Sequence, residues 1–88
     1  MHTPLEIAAG KLISAIQKEW NAEIGDPSSV ESERVLHSSH DLLQAARSGM
    51  LANVLHGSSI ADFIGADWVR RHSTVVPFIR ALEDAAKA

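Results

Sequence analysis

Leu5, Ala9, Leu12, Ile13, Ile16, Trp20 and Ile24 recur at helical spacing. On a 3.6-residue wheel they fall within about 120° of arc, while Lys11, Ser14 and Lys18 lie on the opposite side. The pattern predicts an amphipathic first helix. Thr3-Pro4-Leu5-Glu6 supplies its start, with Thr3 as cap, proline at the first helical position and Glu6 closing a capping box. Gly25 and Pro27 supply its end. A second stripe, Val35, Leu36, Ser39, Leu42, Leu43 and Ala46, predicts a second long helix opened by Asp26-Pro27-Ser28-Ser29. Ser28 and Glu31 are spaced for another capping box, Glu33, His37, His40 and Gln44 share the polar face, and the end falls near Ser48-Gly49.

The middle of the chain is punctuated more densely. Met50 to His56 is a short apolar run between Gly49 and Gly57, in which Leu51, Val54 and Leu55 keep helical spacing. Ser59 caps a further turn ending at Gly65, and Asp67 caps one that runs through Trp68, Val69, Arg70 and Arg71. A closing helix starts near Ser73-Thr74, with Pro77 tolerated in its first turn. Val75, Phe78, Ile79, Leu82, Ala85 and Ala86 form its apolar stripe, and Arg80, Asp84 and Lys87 face water. No strand pattern occurs. The expected fold is all-α, one domain over residues 1–88: a small bundle of four to five helices, two long ones first, short ones in the middle and one at the C-terminus.

Composition narrows the picture. A chain of 88 residues with 45% apolar side chains suits one globular core. At that size only about 60–65% of the unfolded surface is buried, so stability is thin. The absence of cysteine removes disulfides and thiolate metal sites. Met1-His2-Thr3-Pro4 has no basic stretch and Glu6 follows at once, so no signal peptide is read there. The longest charge-poor segment, Leu42 to Ala66, holds Arg47, Asp62 and three glycines and does not suit a bilayer span. The expectation is a cytoplasmic protein. Net charge is −3: residues 1–33 carry two lysines against six carboxylates, residues 34–88 six cations against five. Neither half has the positive field typical of nucleic-acid binding.

Candidate chemistry is sparse. Glu33, His37, His40 and Asp41 lie along one helix edge, and imidazoles with carboxylates do bind zinc. The spacing lacks a His-x-x-x-His pair, so a solvated polar face is the expectation, with no metal or other cofactor. His56 and His72 stand at segment ends, where imidazole meets the negative end of a helix dipole. Serines are plentiful, but no Gly-x-Ser-x-Gly turn positions one as a nucleophile. A non-enzymatic protein is expected.

Ile60-Ala61-Asp62-Phe63-Ile64-Gly65 is similar to the first helix and turn of the helix-turn-helix motif, with a small residue four positions before the turn glycine. The resemblance implies a reading helix that carries Arg70 and Arg71 to DNA. Against it, Arg71 stands where the motif normally wants an apolar residue, and Pro77 limits the reading helix. The favoured expectation rests instead on Leu42–Ala66, rich in large apolar residues and poor in charge. Met50, Leu51, Val54, Leu55, Phe63 and Trp68 are its candidate partner-binding residues, for another protein or for a second copy in a homodimer.

Overall fold

In the computed structural model, which describes residues 3–87, the first helix, α1, spans Pro4–Ala22. Met1 and His2, part of the N-terminal reading above, lie outside the described residues. Thr3 caps as expected: its Oγ1 accepts from Glu6 N at 3.2 Å, and its hydroxyl reaches Glu6 Oε1 at 3.5 Å. The helix ends earlier than the apolar spacing predicts. The chain turns out at Glu23 (φ −104°, ψ 2°), leaving Ile24 63% exposed. The last turn tightens, with Glu23 N bonding Trp20 O at 3.0 Å, and Gly25 at φ 93° followed by Pro27 turns the chain away.

The second helix, α2, spans Ser29–Ser48. Ser28 stands before it, but the capping box with Glu31 does not form. Ser28 N and Oγ both donate to Asp26 Oδ1, at 3.0 and 3.1 Å, and Glu31 pairs with Arg71 instead. At the other end Gly49 takes φ 72°, Met50 N bonds Ala45 O at 2.8 Å, and Gly49 N bonds Ala46 O at 3.4 Å. This is a Schellman stop, and it needs the left-handed residue that glycine supplies.

Three short helices follow: α3 (Leu51–Leu55), α4 (Ile60–Ile64) and α5 (Ala66–Arg71). Ser59 caps α4, its hydroxyl accepting from Asp62 N at 3.1 Å, as the sequence predicts. Asp67 does not cap α5; it lies inside the first turn and pairs with Arg70. Gly65, at φ 132° and ψ 98°, joins α4 to α5 in a conformation that side chains disfavour. A 3₁₀ turn over Ser73–Val75 then leads into α6 (Val76–Lys87).

The fold is thus all-α, with no strand among the described residues. Its irregular middle holds the three short segments read from the sequence, giving six α-helices among the described residues where four to five were expected. α1 is central, with α2 packed on one side and α6 on another. The core joins Ala9, Leu12 and Ile16 of α1 to Val35 and Leu42 of α2, and to Ile60, Ile64, Trp68, Val75, Ile79 and Leu82 of the later elements. No helix among the described residues is long and apolar enough to cross a membrane.

Candidate functional site

The most concentrated polar structure lies where α1 ends, α2 begins and α5 ends. Trp68 Nε1 donates to Ser32 Oγ at 2.8 Å, and Ser32 Oγ donates to Glu23 Oε1 at 3.1 Å. His72 Nε2 meets the same Glu23 oxygen at 2.7 Å, and His72 Nδ1 meets Trp68 O at 2.8 Å. The imidazole stacks on the Trp68 indole, ring centres 4.1 Å apart. The bonds therefore close a ring: indole to hydroxyl to carboxylate to imidazole, and back to the backbone of the same tryptophan.

Ser32 and Trp68 are fully buried, and the side chains of Glu23 and His72 are only 16% and 15% exposed. The Ser28 hydroxyl foremost, then hydrogen bonds from His72 and Ser32, hold the Glu23 carboxyl below the ordinary glutamate range, against desolvation that acts the other way. Ser28 Oγ itself donates to Asp26 Oδ1, and Glu23 Oε2 is buried with no hydrogen-bond partner among the described residues. With Glu23 ionised, both nitrogens of His72 face oxygen acceptors. The order of the bonds differs from a nucleophile-base-acid relay. Ser32 donates to Glu23 rather than to His72, and none of Ser32 is accessible. The ring works as a clamp that fixes α5 to the α1–α2 corner.

The residues predicted to bind a partner do not form one surface. Trp68 is 1% exposed and Leu51 6%, so both belong to the core and offer nothing to a partner. This corrects the sequence expectation for those two. Trp68 turns inward because its indole N–H has a buried acceptor in Ser32, and Leu51 because α3 lays it against the core cluster. The other four divide. Met50, 48% exposed, shares a shallow depression with Val54, Phe63 and the α2 residues Asp41, Gln44 and Ser48. Leu55 lies on the other side of α3, in a recess with Leu51, Leu5 and Ala86.

The helix-turn-helix residues fare no better as a reading surface. α5 has six residues, Arg70 pairs with Asp67, and Arg71 pairs with Glu31 across to α2. Glu33, His37, His40 and Asp41 are all exposed, and no trio of His, Cys, Asp or Glu suited to a metal occurs among the described residues.

A further surface was not anticipated. Between α1 and α6 runs a groove of about 650 Å³, lined by Ile7, Gly10, Lys11, Ser14, Ala15, Lys18 and Glu19 of α1, and by Thr74 and Phe78. Ile7 and Phe78 are 48% and 36% exposed. Gly10 lies in mid-helix, where glycine costs about 0.5–1 kcal/mol relative to alanine. Nothing in the fold calls for it, since a Cβ there would meet no atom within 4 Å. Two marks in the sequence point here: Ile7 stands off the apolar stripe of α1, and a glycine interrupts that helix far from either cap. No protein-family model matches the chain, and no curated protein and no solved structure was found to match it.

Proposed function

We propose that this protein is a non-enzymatic interaction module that docks a helical segment of another protein in the groove between α1 and α6. The observation that carries the reading is the groove, open along one face of α1, whose lining includes Ile7, Ala15 and Phe78 together with Gly10. From Ile7 to Glu19 it follows about 18 Å of helix axis, roughly three turns. That length suits a docked helix with anchors at i, i+3 or i+4, and i+7. Covering the exposed parts of Ile7 and Phe78 contributes only about 2 kcal/mol, so the partner must also cover other parts of the lining, Ala15 among them. This reading puts the site on a face built from the two ends of the chain, whereas the sequence expectation puts it in residues 42–68.

A displayed library of helical peptides, selected against the folded protein, tests the reading. Selected peptides should bind the wild type and lose at least about ten-fold affinity, roughly 1.4 kcal/mol, against an Ile7→Asp, Phe78→Asp variant. Both side chains are partly exposed, so circular dichroism should show the variant folded. A second surface competes, because Met50, Val54 and Phe63 do converge in one depression. Loss of binding on Met50→Asp, with none on the groove variant, would transfer the site there. Enrichment of no peptide, or of peptides indifferent to both variants, would remove the reading.

A further inference from the structure

We infer that the groove selects an acidic amphipathic helix, one with carboxylates about seven residues apart flanking a bulky apolar side chain. The inference rests on the docking reading above and names its partner. Lys11 and Lys18 both line the groove and are exposed. Seven residues separate them, which stacks them on one edge of α1 about 10.5 Å apart.

Their surroundings give them no internal task. Arg47 reaches Glu6 at 3.7 Å, Arg70 pairs with Asp67, and Arg71 pairs with Glu31. Lys11 and Lys18 have no carboxylate within ion-pair distance among the described residues. Glu19, the one acid in the groove lining, already accepts from the Thr74 hydroxyl. With Glu19 still a carboxylate, the lining carries two cations against one anion, on a chain whose net charge is −3. A second copy of so acidic a chain meets general repulsion, whereas a separate helix with acids on its flank meets attraction where it docks.

The shape adds a second requirement. Ile7 and Phe78 are the large apolar side chains of the lining, and both are partly exposed. A leucine or phenylalanine of the partner covers them while acids on either side reach toward the two lysines. Large apolar residues between acidic ones at helical spacing are the signature sought.

The probe is an end-capped peptide of about fifteen residues, near the length at which isolated helices become marginally stable. It carries a leucine stripe and glutamates seven apart beside it. One control replaces those glutamates with lysine, and another replaces the central leucine with serine. Titration followed by amide chemical shifts locates the site as well as the affinity. The glutamate peptide should shift Ile7, Gly10, Lys11 and Phe78. The lysine peptide should bind about three- to thirty-fold more weakly, the effect of two exposed ion pairs. High salt should narrow that difference, and a Lys11→Ala, Lys18→Ala variant, which removes only exposed side chains, should abolish it.

Equal affinity of the two charged peptides at the groove would overturn the inference and leave the docking reading intact. A preference that survives in the double-alanine variant would overturn it as well. Shifts confined to other surfaces, or no binding by any of the three, would count against groove docking too, and the library selection then judges that reading separately.

Discussion

Ser32→Ala is the sharpest perturbation of the polar ring, because it deletes one oxygen and leaves two partners stranded. Ser32 is completely inaccessible and Trp68 is 1% exposed, so no water replaces the hydroxyl as acceptor for Trp68 Nε1. A buried donor left without an acceptor costs about 1–3 kcal/mol, and Glu23 loses one of its donors at the same time. The expected loss is about 2–3 kcal/mol. For a domain of this size the whole folding free energy is about 4–13 kcal/mol, so the variant should melt roughly 10–20 °C lower.

The same geometry fixes how the loss couples to Trp68. In Trp68→Phe the donor is gone, so removing the Ser32 hydroxyl strands nothing on that side. The double variant should then cost less than the sum of the singles, by about 1–2 kcal/mol. Urea unfolding followed by circular dichroism suits the cycle, since one arm removes a tryptophan and fluorescence would change for that reason alone. A Ser32→Ala loss below about 0.5 kcal/mol, or a coupling within about 0.3 kcal/mol of zero, would refute the closed ring.

Acid should weaken the same clamp. The folded Glu23 carboxyl is held below its ordinary value of 4.5, so its contribution is fully present above about pH 4.5 and is lost as pH falls through the lowered folded value. Urea midpoints across that range should fall more steeply for the wild type than for Glu23→Gln; superimposable acid limbs would contradict the argument. Gly10→Ala should raise stability by about 0.5–1 kcal/mol, since the added methyl meets open space, yet weaken peptide binding by adding a methyl to the groove lining. Calorimetry and titration on one sample check the two opposite signs, and a change of the same sign in both would sever glycine from groove. Leu51→Asp should cost more than about 3 kcal/mol or prevent folding, whereas its neighbour Met50→Asp should stay within about 0.5 kcal/mol, as thermal melts can decide.

What the sequence made legible follows element length. α1, α2 and α6 are long enough for a stripe to repeat, so their buried faces could be read, as could Thr3, Ser59 and Gly49 as boundary residues. In the five residues of α3 each face has one or two positions, and no periodicity tells which face is inside. Met50 and Leu51 are adjacent and equally apolar, yet one is half exposed and the other buried. The ring was illegible for another reason: Glu23, Ser32 and His72 are far apart in the chain, and each alone resembles a solvated polar residue. One signal was present. Ser32 stands three positions before Val35 and seven before Ser39, on the buried stripe of α2, and a polar group there requires a buried partner. The groove escaped because it joins the two ends of the chain, which no local window compares.

Ring and groove are mechanically one arrangement. Glu19 and Glu23 are one turn apart at the end of α1, and they hold two residues of the segment that leads into α6, Thr74 and His72 respectively. Phe78 follows Thr74 by four residues, so the groove wall hangs from a segment fixed to α1 at two points. α6 also packs against α1 through Ile79 and Leu82, but apolar packing is non-directional and tolerates sliding, whereas hydrogen bonds fix the register of one helix on the other. A buried ring at one end of so small a bundle therefore gives more than stability. It sets where Phe78 stands relative to Ile7 and Gly10, and so the width of the groove before any partner arrives. Ser32→Ala, remote in sequence from every residue lining the groove, should accordingly weaken binding of the glutamate peptide even at temperatures where the variant is fully folded. Undiminished affinity in that folded variant would show that apolar packing alone holds the wall.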